Sequence, residues 1–271
     1  MKCNSCFHNC ELKENARGKC LVRGNVNGEI VNVVKEKISS IALDPIEKKP
    51  LYHFYSGKDI LSIGFYGCNL KCPFCQNYSI SMDSGKNHFY KDKTKEELLN
   101  LALSYKNNIG IAFTYNEPLV NHEYVVEIAK LFKENNLKTV LVTNGCFSEE
   151  VCLSVCKYVD AMNIDLKGFT NEFYKSVDGD LEMVKRFIEI AKNHCHIEVT
   201  TLLIPDKNDS EEEMEEMCKW IASLNKDIPL HLSRFFPRYK MNSGSPTDIN
   251  KMYKLKQIAE KHLNYVYLGN V

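Results

Sequence analysis

The sequence predicts an α/β fold, an incomplete (β/α)6 barrel of TIM type with a small cysteine-rich N-terminal extension. Two observations predict it. From Asp59 onward, short aliphatic runs alternate with segments of helical periodicity, and the connections are a few residues long. That is the pattern of parallel strands joined by helical crossovers. About six such units and one extra terminal strand follow from Ile60, fewer than the eight of a full barrel. A doubly wound sheet is the runner-up, although no G-x-G-x-x-G follows any strand. At 271 residues the chain suits one large domain with an appendage, and we divide it into residues 1–58 and 59–271.

Within the extension, residues 21–43 read as a β-hairpin, because Asn27-Gly28 is a tight-turn signal followed by Ile30, Val31, Val33 and Val34. The Pro-punctuated stretch Ala42-Leu-Asp-Pro-Ile-Glu-Lys-Lys-Pro-Leu-Tyr-His-Phe54 reads as a connector. Beyond it, strands are expected over 59–65, 109–114, 138–143, 161–167, 196–203, 229–235 and 265–268. Helices are expected over 94–105, 124–135, 149–157, 181–193, 211–224 and 249–262. Thr94 with Glu97, and Ser210 with Glu213, have the spacing of capping boxes.

Composition narrows the function. Formal net charge is zero, which lacks the basic footprint of a nucleic-acid or anionic-membrane partner. No apolar run approaches a membrane span. Twelve cysteines in a chain whose start shows no apolar leader point to metal ligands in a reducing, cytoplasmic setting rather than to disulfides.

Seven of those cysteines fall into two groups. Cys68, Cys72 and Cys75, spaced C-x3-C-x2-C, follow the first barrel strand. Three thiolates can hold three corners of a cubane iron–sulfur cluster and leave the fourth iron open to chemistry. Cys3, Cys6, Cys10 and Cys20 lie in a polar segment that builds no core of its own, and four thiolates would staple it around zinc or a second iron–sulfur cluster. His8 is a substitute ligand or a neighbour of that site.

Polar residues gather where the strands end, the edge at which parallel α/β folds build their sites. They include Asn116 and Glu117, then Thr143 and Asn144, then Asp165 and Lys167, and finally His231. Glu117 can accept from an ammonium group, Lys167 can pair with a carboxylate, and Thr143 and Asn144 can donate to one. Phe74 offers an aromatic face to a base. A zwitterion joined to an aromatic base, beside an open iron, describes S-adenosylmethionine (SAM) on a cluster. A non-catalytic electron carrier or metal-binding module is the competing reading. It would need a fourth cysteine, for which Cys146 is the candidate; Cys152, Cys156, Cys195 and Cys218 read as buried thiols.

Cys68-x3-Cys72-x-Phe74-Cys75 resembles the signature of the radical SAM superfamily. The resemblance implies a [4Fe-4S] cluster on these cysteines, SAM chelated to its unique iron, and reductive cleavage to a 5′-deoxyadenosyl radical that abstracts hydrogen, an oxidoreductase-type chemistry sensitive to oxygen. Gln76 and Asn77 extend the cofactor-binding loop. Tyr115-Asn-Glu-Pro118 stands where the pyruvate formate-lyase activating enzymes have Gly-Gly-Glu-Pro, and Asp165, Lys167 and His231 match cofactor-contacting positions of that group. The chain also resembles the AmmeMemoRadiSam-system radical enzymes, through Cys3 to Arg23, residues 42–54, His231-Leu-Ser-Arg-Phe235 and residues 265–271. That family implies AMMECR-type and Memo-type companions, and the activating enzymes imply an electron donor and a protein substrate.

Overall fold

The computed structural model describes residues 1–85 and 91–271. Its central sheet has eight strands. They are β1 (Ser40–Pro45), β2 (Asp59–Gly64), β3 (Asn108–Phe113), β4 (Lys138–Thr143), β5 (Ala161–Asp165), β6 (His196–Leu203), β7 (Leu230–Arg234) and β8 (Val266–Gly269), adjacent in that order. Strands β2 to β8 are parallel, and β1 lies antiparallel on the β2 edge. Strand order never reverses, so the sheet lacks the switch point of a doubly wound fold and winds as a partial barrel.

The crossovers contain α1 (Lys95–Ser104), α2 (His122–Glu134), α3 (Glu149–Cys156), α4 (Leu181–Ala191), α5 (Glu211–Leu224) and α6 (Ile249–Ala259). Local chemistry fixes most of their starts. Thr94 and Glu97 form a complete capping box, and Ser148, Asp180, Ser210 and Asp248 each accept from the backbone three residues on. The box expected at Ser210 is only half made, because the Glu213 carboxylate accepts from Phe169 N instead. On α2, Val125, Ile128, Ala129 and Phe132 form the buried stripe. Short helices at Tyr78–Ser81 and Asn171–Ser176 were not expected.

The extension departs from expectation beyond residue 32, where Lys37–Ile38 pairs with Lys91–Asp92 and not within the hairpin. Its hairpin is Arg23–Val26 with Glu29–Asn32, turning at Asn27 and Gly28, which both have positive φ. Residues 40–45, assigned by sequence partly to the hairpin and partly to the connector, form β1 of the barrel sheet. Pro45, lacking an N–H, ends this edge strand.

After β1 the chain turns through Ile46–Lys48 and closes one end of the barrel. Ile46 and Leu51 are fully buried against Ile60, Val140 and Ala161, all within the first three residues of their strands. Pro50 O accepts from Asn163 Nδ2 at 2.9 Å, and His53 Nε2 meets the Tyr267 hydroxyl on β8 at 2.7 Å. Residues 46–58 thus form a floor under the N-terminal ends of the strands and lace the first and last edges of the sheet together.

Candidate active site

Above β2, the cysteine loop is pinned from both sides. Gly67 has φ +82°, and a Cβ there would stand 2.4 Å from Cys20 O, so only glycine lets the N-terminal segment lie this close. The Asn116 side chain accepts from Phe65 N at 2.9 Å and donates to Gly67 O at 2.9 Å, which fixes the turn leading into Cys68. Lys71 N donates to Val177 O at 2.8 Å.

The loop and the strand ends border one cavity of about 360 Å³. It is lined by Cys68, Cys72 and Cys75, by Phe74, Gln76 and Asn77, by Asn116, Glu117, Thr143 and Asn144, and by Asp165 and Lys167. His231 lies outside this lining. It is the second residue of β7, near the floor, where its Nε2 lies 2.6 Å from Glu198 Oε2. Ser233, two residues further along the same face, reaches the cavity instead. Cys146 is also outside the lining. It is fully buried, with its thiol directed at Asp180 O, so three thiols and not four face the cavity.

Burial pushes the Cys68 thiol well above its usual range and Cys72 up to about 11. Thiolates in such surroundings need a cationic partner, and a cluster's iron supplies one. Burial works against the Lys167 ammonium, yet the Asp165 carboxylate 2.8 Å away and nearby Cys72 hold it firmly charged. Glu117 is raised to about 7 by burial, against the bonds it accepts from Leu119 N, Thr143 Oγ1 and Asn144 N. A carboxylate has about four acceptor positions, so one stays open for a ligand.

The lining also holds Thr200 and Ser233, which belong to the strand-end polar pattern, and Lys48, Lys49 and Tyr115, which sequence reasoning did not place at the site. Thr200 and Ser233 carry the strand-end signal used for the others. Lys48 and Lys49 come from the floor segment, whose contact with the cavity has no local signature.

At the N-terminus, Cys3 and Cys20 are buried and Cys6 and Cys10 half-buried. Burial raises the Cys6 thiol to about 12, and Cys20, Cys3 and Cys10 are close enough to add to the effect. His8 is not turned toward them: its Nε2 donates to Asn69 O at 2.7 Å, next to Cys68. Among the described residues, no three His, Cys, Asp or Glu side chains stand at the spacing that holds a single metal ion.

A partial parallel barrel with three cavity-facing thiols at the mouth and a zwitterion-matching set of strand-end groups defines an enzyme class that works through a cluster-bound cofactor. The chain belongs to the radical SAM superfamily, whose sequence model matches residues 62–221. Its cofactors are a [4Fe-4S] cluster and SAM, and it is a SAM-cleaving radical enzyme related to the glycyl-radical activating enzymes. An uncharacterized protein of Methanocaldococcus jannaschii is 38% identical over the whole chain, which spans 81% of that protein. The pyruvate formate-lyase-activating enzyme of Clostridium pasteurianum is 25% identical over 72% of this chain and 81% of its own length. Among solved structures, Streptococcus suis SuiB bound to S-adenosylmethionine superposes with TM-score 0.58 at 14% identity, over 78% of this chain and 51% of SuiB. A domain of the pyruvate-formate lyase-activating enzyme of Bacteroides vulgatus gives 0.51 at 20% identity, over 59% of this chain and 98% of that domain. These two likenesses are likenesses of fold. Among the described residues, no helix is long and apolar enough to cross a membrane.

Proposed function

We propose that this chain binds a [4Fe-4S] cluster through Cys68, Cys72 and Cys75 and takes hydrogen from a protein segment admitted to the cavity beside it. When bound, the cluster and SAM supply the reductive cleavage that yields a 5′-deoxyadenosyl radical. The observation that carries the reading is the grouping of three thiols, and no fourth, with the strand-end polar set around one cavity. In this reading Lys167 meets the SAM carboxylate, and Asp165 keeps the lysine charged and aimed. Glu117, Thr143 and Asn144 hold the amino-acid part, with Asn116 positioning the cysteine loop through its backbone bonds. Phe74, Gln76 and Asn77 border the adenosyl part. The protein substrate and an external electron donor rest on the names of the activating-enzyme relatives. The AmmeMemoRadiSam assignment, AMMECR-type and Memo-type companions, the division at residues 58 and 59 and a cytoplasmic setting belong to the same proposal.

Cys3, Cys6, Cys10 and Cys20 are our second metal site. A Zn–S bond of about 2.3 Å places tetrahedral thiolates about 3.8 Å apart. Four thiolates suit zinc and an iron–sulfur cluster alike, and either would staple this segment.

The test is anaerobic reconstitution, reduction with dithionite and addition of SAM. We expect 5′-deoxyadenosine from the wild type and none from Cys68→Ala, Cys72→Ala or Cys75→Ala. An intact cluster that yields no 5′-deoxyadenosine would end the radical reading. The triple alanine variant should keep the N-terminal metal, its iron or zinc content telling which the four cysteines hold, and loss of all metal would refute the second site.

A further inference from the structure

We propose that the Lys48, Lys49, Tyr115 and Thr200 wall of the cavity is its substrate side, selecting a substrate that presents an anionic group, a carboxylate or a phosphate. This rests on the reading that the thiols and the Glu117 and Asp165–Lys167 groups are occupied by cluster and SAM.

Charge is the first ground. Lys48 and Lys49 share a single carboxylate: Asp44 Oδ1 is 3.3 Å from Lys48 Nζ and Asp44 Oδ2 is 2.8 Å from Lys49 Nζ. The Tyr115 hydroxyl also donates to Asp44 Oδ2, at 2.7 Å. Two ammonium groups against one carboxylate leave one positive charge over. Asp44 already accepts from three donors and has about one acceptor position left, fewer than the remaining N–H groups of the two lysines. Lys49 is only 2% exposed, so its surplus N–H donors face a cavity and not bulk water. Burial lowers its hold on the proton, while Asp44 opposes that loss. Its ammonium also sits 4.9 Å from the centre of the Tyr115 ring, which orients the group without neutralising it.

The second ground is independent. Thr200 lines the same cavity, and its hydroxyl, buried in a residue 8% exposed, has no hydrogen-bond partner. Buried polar groups are seldom left so, and an unpaired hydroxyl on a residue of the lining is one a ligand atom can satisfy after a turn of its side chain. The other carboxylates of the lining do not compete for the cations, since Asp165 is paired with Lys167 and Glu117 is held by three protein donors. The Lys48 side chain, 66% exposed, is the solvent-facing member of the pair, and Lys49 is the buried one. Floor residues that look like a plug thus also set the sign of charge the cavity accepts.

The test uses the reconstituted protein with SAM. Succinate and inorganic phosphate are the probes, and chloride at matched ionic strength is the control. Acylation of Lys48 by an N-hydroxysuccinimide ester is followed by peptide mass spectrometry, with exposed Lys130 as the internal reference. We expect one probe to slow Lys48 labelling at least fivefold while Lys130 is unchanged, and the probe that does so tells carboxylate from phosphate. Thr200→Val and Lys49→Gln should each weaken that protection about tenfold. Thr200→Val keeps the side-chain volume, so the subsite stays testable if Lys49→Gln does not fold. Labelling no slower with either probe than with chloride would overturn the proposal. Formation of 5′-deoxyadenosine in the same preparation separates the two readings. Protection without it keeps the subsite and removes the radical reading, and 5′-deoxyadenosine without protection removes the subsite alone.

Discussion

Glu117 and Glu198 are both buried carboxylates, and their surroundings push them in opposite directions. Glu117 meets three neutral donors, burial wins, and its pKa rises to about 7. Glu198 is equally buried, but His196 and His231 and the backbone N–H groups of Tyr52 and His53 outweigh burial and bring it down to about 2. The signs for stability follow. The folded Glu117 binds its proton more tightly than the unfolded chain does, so its contribution is full below about pH 4.5 and is lost as pH rises toward 7. Glu198 does the reverse: its contribution is present above about pH 4.5 and is lost as pH falls toward 2. Urea midpoints measured across pH without SAM should therefore decline less from pH 4.5 to 7 in Glu117→Gln. The acid-side loss should shrink in Glu198→Gln, which is also less stable by about 2 kcal/mol at pH 7 because buried hydrogen bonds to a charged carboxylate are weakened. Tyr115 adds a third case. Its φ of +70° is costly for a side-chain-bearing residue, by about 1 kcal/mol or more. The bond to Asp44 and the bond from Asn77 Nδ2 to Tyr115 O keep it there. Tyr115→Phe should cost about 1 kcal/mol in chemical denaturation and leave iron content unchanged. The sequence showed Tyr115 only as a departure from a Gly-Gly pattern, since the groups that hold it lie 71 and 38 residues away.

Elements were legible where their causes are local. Helix starts follow from caps three residues long, and β4 and β6 run over the residues expected of them, whereas β5 ends at Asp165, two residues short of the expected 167. The misses share the opposite property. Glu213 abandons its own box for Phe169, 44 residues away, and β1 exists because β2 offers it an edge. The floor was legible only as a proline-punctuated connector, and nothing near His231 in the chain reveals how deep in the barrel it sits. The close approach of Gly67 to Cys20 gives an element-scale prediction. Gly67→Ala forces the N-terminal segment off the cysteine loop, combining a clash with positive φ, and should destabilise by about 2 kcal/mol or more. Limited proteolysis should then cut within residues 1–34 sooner than in the wild type.

At the scale of the molecule, one continuous core includes Val22, Val34 and Ile38 from the extension together with Phe65, Leu70 and the helix stripes of the barrel. The two cysteine groups therefore share a wall, with His8 bonded to Asn69 beside Cys68. The lace between His53 and Tyr267 has a consequence for how such a chain comes together. Its partners are 214 residues apart, so during synthesis the floor emerges early and its last tie cannot form until β8 has left the ribosome. Closing so long a loop is entropically expensive and belongs late on the folding route. A contact made after the transition state slows unfolding without hastening folding. Tyr267→Phe should thus raise the unfolding rate about threefold in stopped-flow experiments and leave the refolding rate unchanged. The lace then works as a latch on the finished barrel, guarding against opening long after it has ceased to matter for assembly.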